Sequence, residues 1–90
     1  MNILQTSTFV KHVKKLHSNQ KKQLDQAIIK IIGDPYIGEI KKGDLNNIYV
    51  YKFKMVNQLT LLAYTFDEDE FTLYLLAIGS HENFYRDLKK

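Results

Sequence analysis

The hydrophobic period of this chain changes once along its length, and that change limits what it can fold into. Up to Gly33, apolar residues recur at helical spacing. "TSTFVKHVKKLH" puts Phe9, Val13 and Leu16 on one stripe beside Val10 and His17, and "SNQKKQLDQAIIKIIG" puts Leu24, Ala27, Ile28, Ile31 and Ile32 on another. "GDPYIGEIKKGDLNN" then breaks the pattern with Pro35 and three glycines, reading as a turn-rich connection. Beyond it "NIYVYKFKM", "LTLLAYTF" and "EFTLYLLAI" are β-rich runs joined by "VNQ" and "DEDE", each joint short enough for a hairpin.

Two helices followed by an antiparallel meander predict an α+β fold, an N-terminal helical hairpin packed on a small antiparallel β-sheet. Ser7 or Thr8 is the expected cap of the first helix, Ser18 or Asn19 that of the second, with Gly33 as its stop. "MNIL" offers an additional edge strand, and the tail "SHENFYRDLKK" reads as a short C-terminal helix or arm with Phe84 and Leu88 four apart. Ninety residues are expected to form one domain, 1–90, because chains of this size bury only about 60 to 65% of their unfolded surface. The middle and last β-runs are apolar at both parities, which predicts strands covered on both faces.

Parity in the first long strand separates two chemistries. Tyr49, Tyr51, Phe53 and Met55 suit the face under the helices, so Ile48, Val50, Lys52 and Lys54 take the other. Two lysines on one face can be edge charges that discourage sheet-to-sheet aggregation. The tail adds a second possibility, since His81, Tyr85 and Arg86 follow the last strand and can reach the same face. Cleaving RNA without a metal requires a base for the 2′-hydroxyl proton, cations for the phosphorane oxygens and an acid for the departing 5′-oxygen. His81 is a candidate acid or base. Lys52 and Lys54, roughly 7 Å apart on the strand, are close enough for one to act as base and the other as phosphate clamp. Arg86 and Lys42 are candidates for holding substrate phosphate, and Tyr85 for stacking on a base.

The remaining bulk features narrow the setting. The chain has no cysteine, so disulfides and thiolate metal sites are excluded. No apolar run approaches the roughly 18 residues of a membrane span, and the N-terminus does not read as a secretion signal, so a cytoplasmic protein with no membrane partner is expected. The net charge of +3 is unevenly spread: lysines crowd residues 11–30 and 41–54, and acid gathers in Asp67–Glu70. His12 and His17, five apart, lack a shared-face metal spacing and belong to the helix surface or boundary. "DEDE" lacks the glycine and distal glutamate of a calcium loop and reads as a solvated turn. "KKGD" has too few glycines for a phosphate loop, and no cofactor is expected.

"KKGDLNNIYVYKFK" and "LLAIGSHENFY", in this order behind a helical hairpin with "DP" at its exit, resemble the RelE/ParE superfamily of toxins from type II toxin–antitoxin modules. The resemblance covers nearly the whole chain. It implies a cognate antitoxin as partner and, in the RelE/YafQ-like branch, cleavage of mRNA on the ribosome by an endoribonuclease; DNA is met only indirectly, through the antitoxin complex. In that branch Lys52 and Lys54 match paired strand lysines, His81 stands where YafQ-like members carry histidine and others arginine, and Tyr85 lies near a terminal tyrosine. The middle strand departs from the pattern, with Thr60 and Leu61 where RelE-like members carry an arginine. A ParE-like toxin that poisons DNA gyrase, and a binding module without catalysis, are the alternative readings.

Overall fold

A computed structural model describes residues 1–41, 47–80 and 84. The elements run β1 (Asn2–Gln5), α1 (Ser7–Lys14), α2 (Ser18–Gly33), β2 (Glu39–Ile40), β3 (Tyr49–Met55), β4 (Gln58–Asp67) and β5 (Thr72–Gly79). The sheet order is β1-β5-β4-β3-β2. The three long strands form the expected antiparallel meander. "MNIL" does supply an edge strand, and it pairs parallel to β5, so the sheet is mixed. The connection read as turns contains β2, two residues paired antiparallel to the start of β3.

Both N-caps lie one residue earlier than the first expected ones. Thr6 caps α1, its hydroxyl accepting from the Phe9 N–H at 3.1 Å, and His17 precedes α2 with its own N–H donated to Gln20 Oε1 at 2.7 Å. Thr6 is favoured over Ser7 because its hydroxyl also donates to the Leu76 carbonyl at 2.6 Å, tying the cap to β5. That carbonyl is free because β5 bulges: Ala63 pairs with Ala77 but Tyr64 with Leu75, leaving Leu76 as an extra residue.

The helices cover one face of the sheet. Phe9 of α1, with Leu24 and Ile31 of α2, meets Met55, Leu62, Tyr64, Leu73, Leu75 and Ile78 in the main core, with Tyr49, Tyr51 and Phe53 packed against it. The opposite face carries a smaller cluster of Val50, Leu61, Ala63, Ala77 and Phe84. The parity read from the sequence therefore holds, and β4 is buried on both sides: Leu61, Leu62, Ala63 and Tyr64 are each 0% exposed. The β3–β4 hairpin turns on Val56 and Asn57, both at positive φ (50° and 65°), a two-residue loop whose twist matches the strands. Val56 is an awkward residue for that conformation, and its N–H is held by the Gln23 side chain of α2.

Tyr64 fixes the exit from the helices. Its hydroxyl donates to the Pro35 carbonyl and accepts from the Gly38 N–H, both at 2.9 Å, and its ring stacks on Tyr49 with centroids 5.5 Å apart. Gly38 is required for this approach, because a Cβ there would stand 2.8 Å from the Tyr64 hydroxyl oxygen and 3.1 Å from the Val50 carbonyl. Burial pushes the Tyr64 pKa up, the Gly38 bond opposing it. A folded-state pKa above the unfolded value of about 10 means that this stability is present below pH 10 and is lost as pH rises through the folded value. Tyr64→Phe is expected to cost about 1 to 3 kcal/mol in urea unfolding at neutral pH, by leaving buried partners unpaired, and to flatten the loss of stability above pH 10. A variant as stable as wild type with the same alkaline profile would show that the hydroxyl does not hold this connection.

Candidate functional site at the open end of the sheet

The described candidate residues gather at the sheet end formed by the β3–β4 hairpin and the close of β5. Lys52 and Lys54 project from the face opposite the helices, and both are exposed. Lys52 faces Leu61 across β4, and Leu61 in turn faces Gly79 of β5, so the three form one row across the sheet. Two strand spacings place the Lys52 and Gly79 backbones about 10 Å apart. Lys54 pairs with Leu59, half-exposed near the hairpin turn. Among the described residues neither lysine has a carboxylate within 4 Å, and the ion pair seen there joins Lys41 to Glu39 at 3.5 Å. Both ammonium groups are therefore available to an anion from solution.

Phe84 decides where this face stops being core. It is 2% exposed, its N–H donates to the Ser80 carbonyl at 3.2 Å, and its ring covers Leu61, Ala63 and Ala77. The bulge puts Leu76 and Ala77 on the same side, widening the apolar floor that the ring rests on. The covered region ends at Leu61, and the lysine pair begins beside it.

His81, Tyr85, Arg86 and Lys42 lie outside the described residues. The middle-strand departure is visible: Thr60 and Leu61 are both buried, and the Thr60 hydroxyl donates to the Gln58 carbonyl at 3.1 Å, so β4 presents no cation here. His17 sits at a helix boundary as expected, whereas His12 differs from its expected surface place. It is half-buried, and its Nδ1 is shut off from solvent with no hydrogen-bond partner among the described residues. It lines a cavity of about 370 Å³ that runs from the end of α1 around to Leu59, Gly79 and Ser80. The sequence signal for this was the four-residue spacing from His12 to Leu16, which follows α1 and also lines the cavity. Among the described residues no group of three or more His, Asp or Glu side chains is placed to hold a metal, and no helix is long and apolar enough to cross a membrane.

The family model for the ParE-like toxin of type II bacterial toxin–antitoxin systems matches residues 3–89. The chain belongs to this family. The fold of this ParE-like toxin is similar to that of a chain in the intact Escherichia coli RelBE toxin–antitoxin complex, at TM-score 0.73 and 18% identity, covering 90% of this chain and 96% of that one. It is similar also to the YoeB/ParE toxin from Agrobacterium tumefaciens, at 0.73 and 14%, covering 90% and 99%. A chain of the Mycobacterium tuberculosis RelBE2 toxin–antitoxin complex aligns at 0.62 and 14%, covering 89% and 96%. No curated protein matches the ParE-like toxin by sequence. At these identities the structural likeness concerns the fold, a RelE/ParE-like sheet with two helices on one face.

Phe84→Ala in this toxin should remove the cover of the smaller cluster and cost about 3 to 5 kcal/mol, as for other buried phenylalanines. Chemical denaturation reads this directly, and a loss below about 1 kcal/mol would show that the smaller cluster contributes little.

Proposed function

We propose that this ParE-like toxin is an endoribonuclease that cuts mRNA on the ribosome and so inhibits translation. The observation that carries the reading is the pair Lys52 and Lys54, exposed on one sheet face and without carboxylate partners among the described residues, at the end where β5 closes. His81 follows Ser80 directly in the chain. In this mechanism the 2′-oxygen of RNA attacks the neighbouring phosphorus and its proton passes to a base. The bond from phosphorus to the 5′-oxygen breaks as an acid protonates that oxygen, leaving a cyclic phosphate. One lysine serves as base and the other steadies charge on the phosphorane; His81 is the acid, Tyr85 stacks on a base, and Arg86 with Lys42 holds flanking phosphates. These groups supply every proton and charge the reaction needs, without a cofactor.

The partner that silences the toxin is a cognate antitoxin. Relatives of the same fold occur in toxin–antitoxin complexes, and E. coli RelE occurs with a peptide of antitoxin RelB. A basic sheet face suits an acidic antitoxin segment, with charge mainly raising the association rate. The protein acts in the cytoplasm, and DNA enters only through the antitoxin complex.

A second reading is kept because of one observation. The buried Thr60 and Leu61 leave β4 without a cation, which favours a toxin of this fold that poisons DNA gyrase and cleaves no RNA. Induced expression of wild type, Lys52→Ala, Lys54→Ala and His81→Ala, with mapping of mRNA 5′ ends, separates the two. The nuclease reading expects growth arrest with new ribosome-phased ends, and at least about 100-fold slower cleavage in each variant, the lower range for acid–base groups. Intact mRNA on ribosomes treated with pure toxin, together with arrest that survives all three substitutions, would transfer the assignment to gyrase.

A further inference from the structure

We infer that the cavity under His12 receives one nucleobase of the bound RNA and that His12, with Gln20 and Gln58, selects which base enters. This rests on the RNA reading above and adds a determinant of specificity to it. Position is the first argument. Leu59 in the cavity wall is the cross-strand partner of Lys54, and Gly79 in the same wall belongs to the row that starts at Lys52. A strand of RNA whose phosphates meet the two lysines therefore passes the cavity mouth.

Composition is the second argument. Leu16, Met55 and Ile78 give an apolar surface for a ring, while His12, Gln20 and Gln58 bring polar groups to its edge, the mixture that orients a planar heterocycle. At about 370 Å³ the space lies within the usual range for small-ligand sites. An isolated phosphate would gain nothing from the apolar surface, and an aliphatic side chain would leave the polar edge unpaired.

The cavity wall is unsatisfied as it stands. His12 Nδ1 is buried without a partner among the described residues, an arrangement that folded proteins avoid, and a half-turn of the imidazole would bring that nitrogen to the edge of a ligand in the cavity. Gln20 is already oriented, because its Oε1 accepts from the His17 N–H at 2.7 Å, which leaves its amide hydrogens for a ligand. The cap of α2 thus fixes one reader while α1 fixes the other. Lys15, exposed at the rim, is placed for the sugar–phosphate chain entering the cavity.

The test compares cleavage-site maps on purified ribosomes for wild type, His12→Ala, His12→Gln and Gln58→Ala, each checked by thermal unfolding. The expected result is a change of about 5-fold or more in the ratio of bases at one position beside the cut, the lower end of what a good base contact is worth. In parallel, the full-length Lys52→Ala protein is titrated with each of the four nucleoside 5′-monophosphates while the His12 imidazole signals are followed by NMR. Saturable shifts that differ between bases are expected. Cleavage by wild type with the same base ratios in all variants, or no saturable shift with any nucleotide, would overturn the base pocket. If purified antitoxin alone perturbs His12, the cavity holds a protein side chain, and the inference fails. Wild type that cuts no RNA while its nucleotide titration succeeds would overturn the nuclease and leave the pocket standing.

Discussion

The structure depends on one constraint, that β4 is buried on both faces in a chain of only 90 residues. Four consecutive residues, Leu61 to Tyr64, have no exposed surface, so a helical layer on one side cannot complete the core. The helices take Leu62 and Tyr64; Phe84, returning from the end of β5, takes Leu61 and Ala63. The bulge at Leu76 serves the same end by bringing Leu76 and Ala77 to the side that Phe84 covers. An irregular strand usually leaves a backbone group unpaired, and here Thr6 meets it with the hydroxyl that also caps α1. The second core face, the bulge and the start of the first helix are therefore one linked arrangement.

The placement of the candidate site follows from where this cover ends. Charged side chains are excluded from the region beneath Phe84, because a buried ammonium without a partner costs several kcal/mol. Lys52 and Lys54 occupy the next two outward positions along β3, where the ammonium groups reach water. Charge is also sorted along the sheet. The acidic residues 67–70 run from the last residue of β4 into the β4–β5 turn, at the opposite end from the β3–β4 hairpin, and Asp67 Oδ1 accepts the Asp69 and Glu70 N–H groups there. Glu68 accepts the Tyr36 hydroxyl, which pushes that phenol up to about 12. Fixing these acids at the far end keeps them from competing with a polyanion at the lysine end.

Much of this was legible in the sequence because periodicity is a direct record of burial. The alternation in "YVYKFKM" assigned Tyr49, Tyr51, Phe53 and Met55 to the helix side and the lysines to the other, and the doubly apolar "LTLLAYTF" announced a strand covered twice. Features that arise from distant parts of the chain left weaker traces. Helical spacing points to Ser7 or Thr8 as the first cap, whereas Thr6 takes that place because its hydroxyl reaches the Leu76 carbonyl, seventy residues away in sequence. β2 is two residues long, too short to show a period, and depends on its partner strand for definition. The parallel pairing of β1 is equally invisible locally, since four residues carry no sign of the direction of their neighbour. The i, i+5 spacing of His12 and His17 places them at the helix surface or boundary, but the cavity beside His12 is completed by residues of β4 and β5 that helix spacing does not record.

The missing cation of the middle strand can be understood in the same terms. Leu61 sits between Lys52 and Gly79 with Phe84 over it, and its full burial is worth about 1.5 to 3 kcal/mol. An arginine at that position would forfeit this term and add the desolvation of a guanidinium, unless the chain around Phe84 moved away and gave up the smaller cluster as well. Apolar cover and a strand-borne cation are thus competing uses of one position, and this chain has taken the first. The cations of this face stand instead at the rim, on β3, where lysines remain solvated without disturbing the core. On the proposed function, RNA held at such a rim is gripped from one side only, which would make a base pocket around the corner of the sheet, rather than a second strand cation, the physically cheaper way to fix its register.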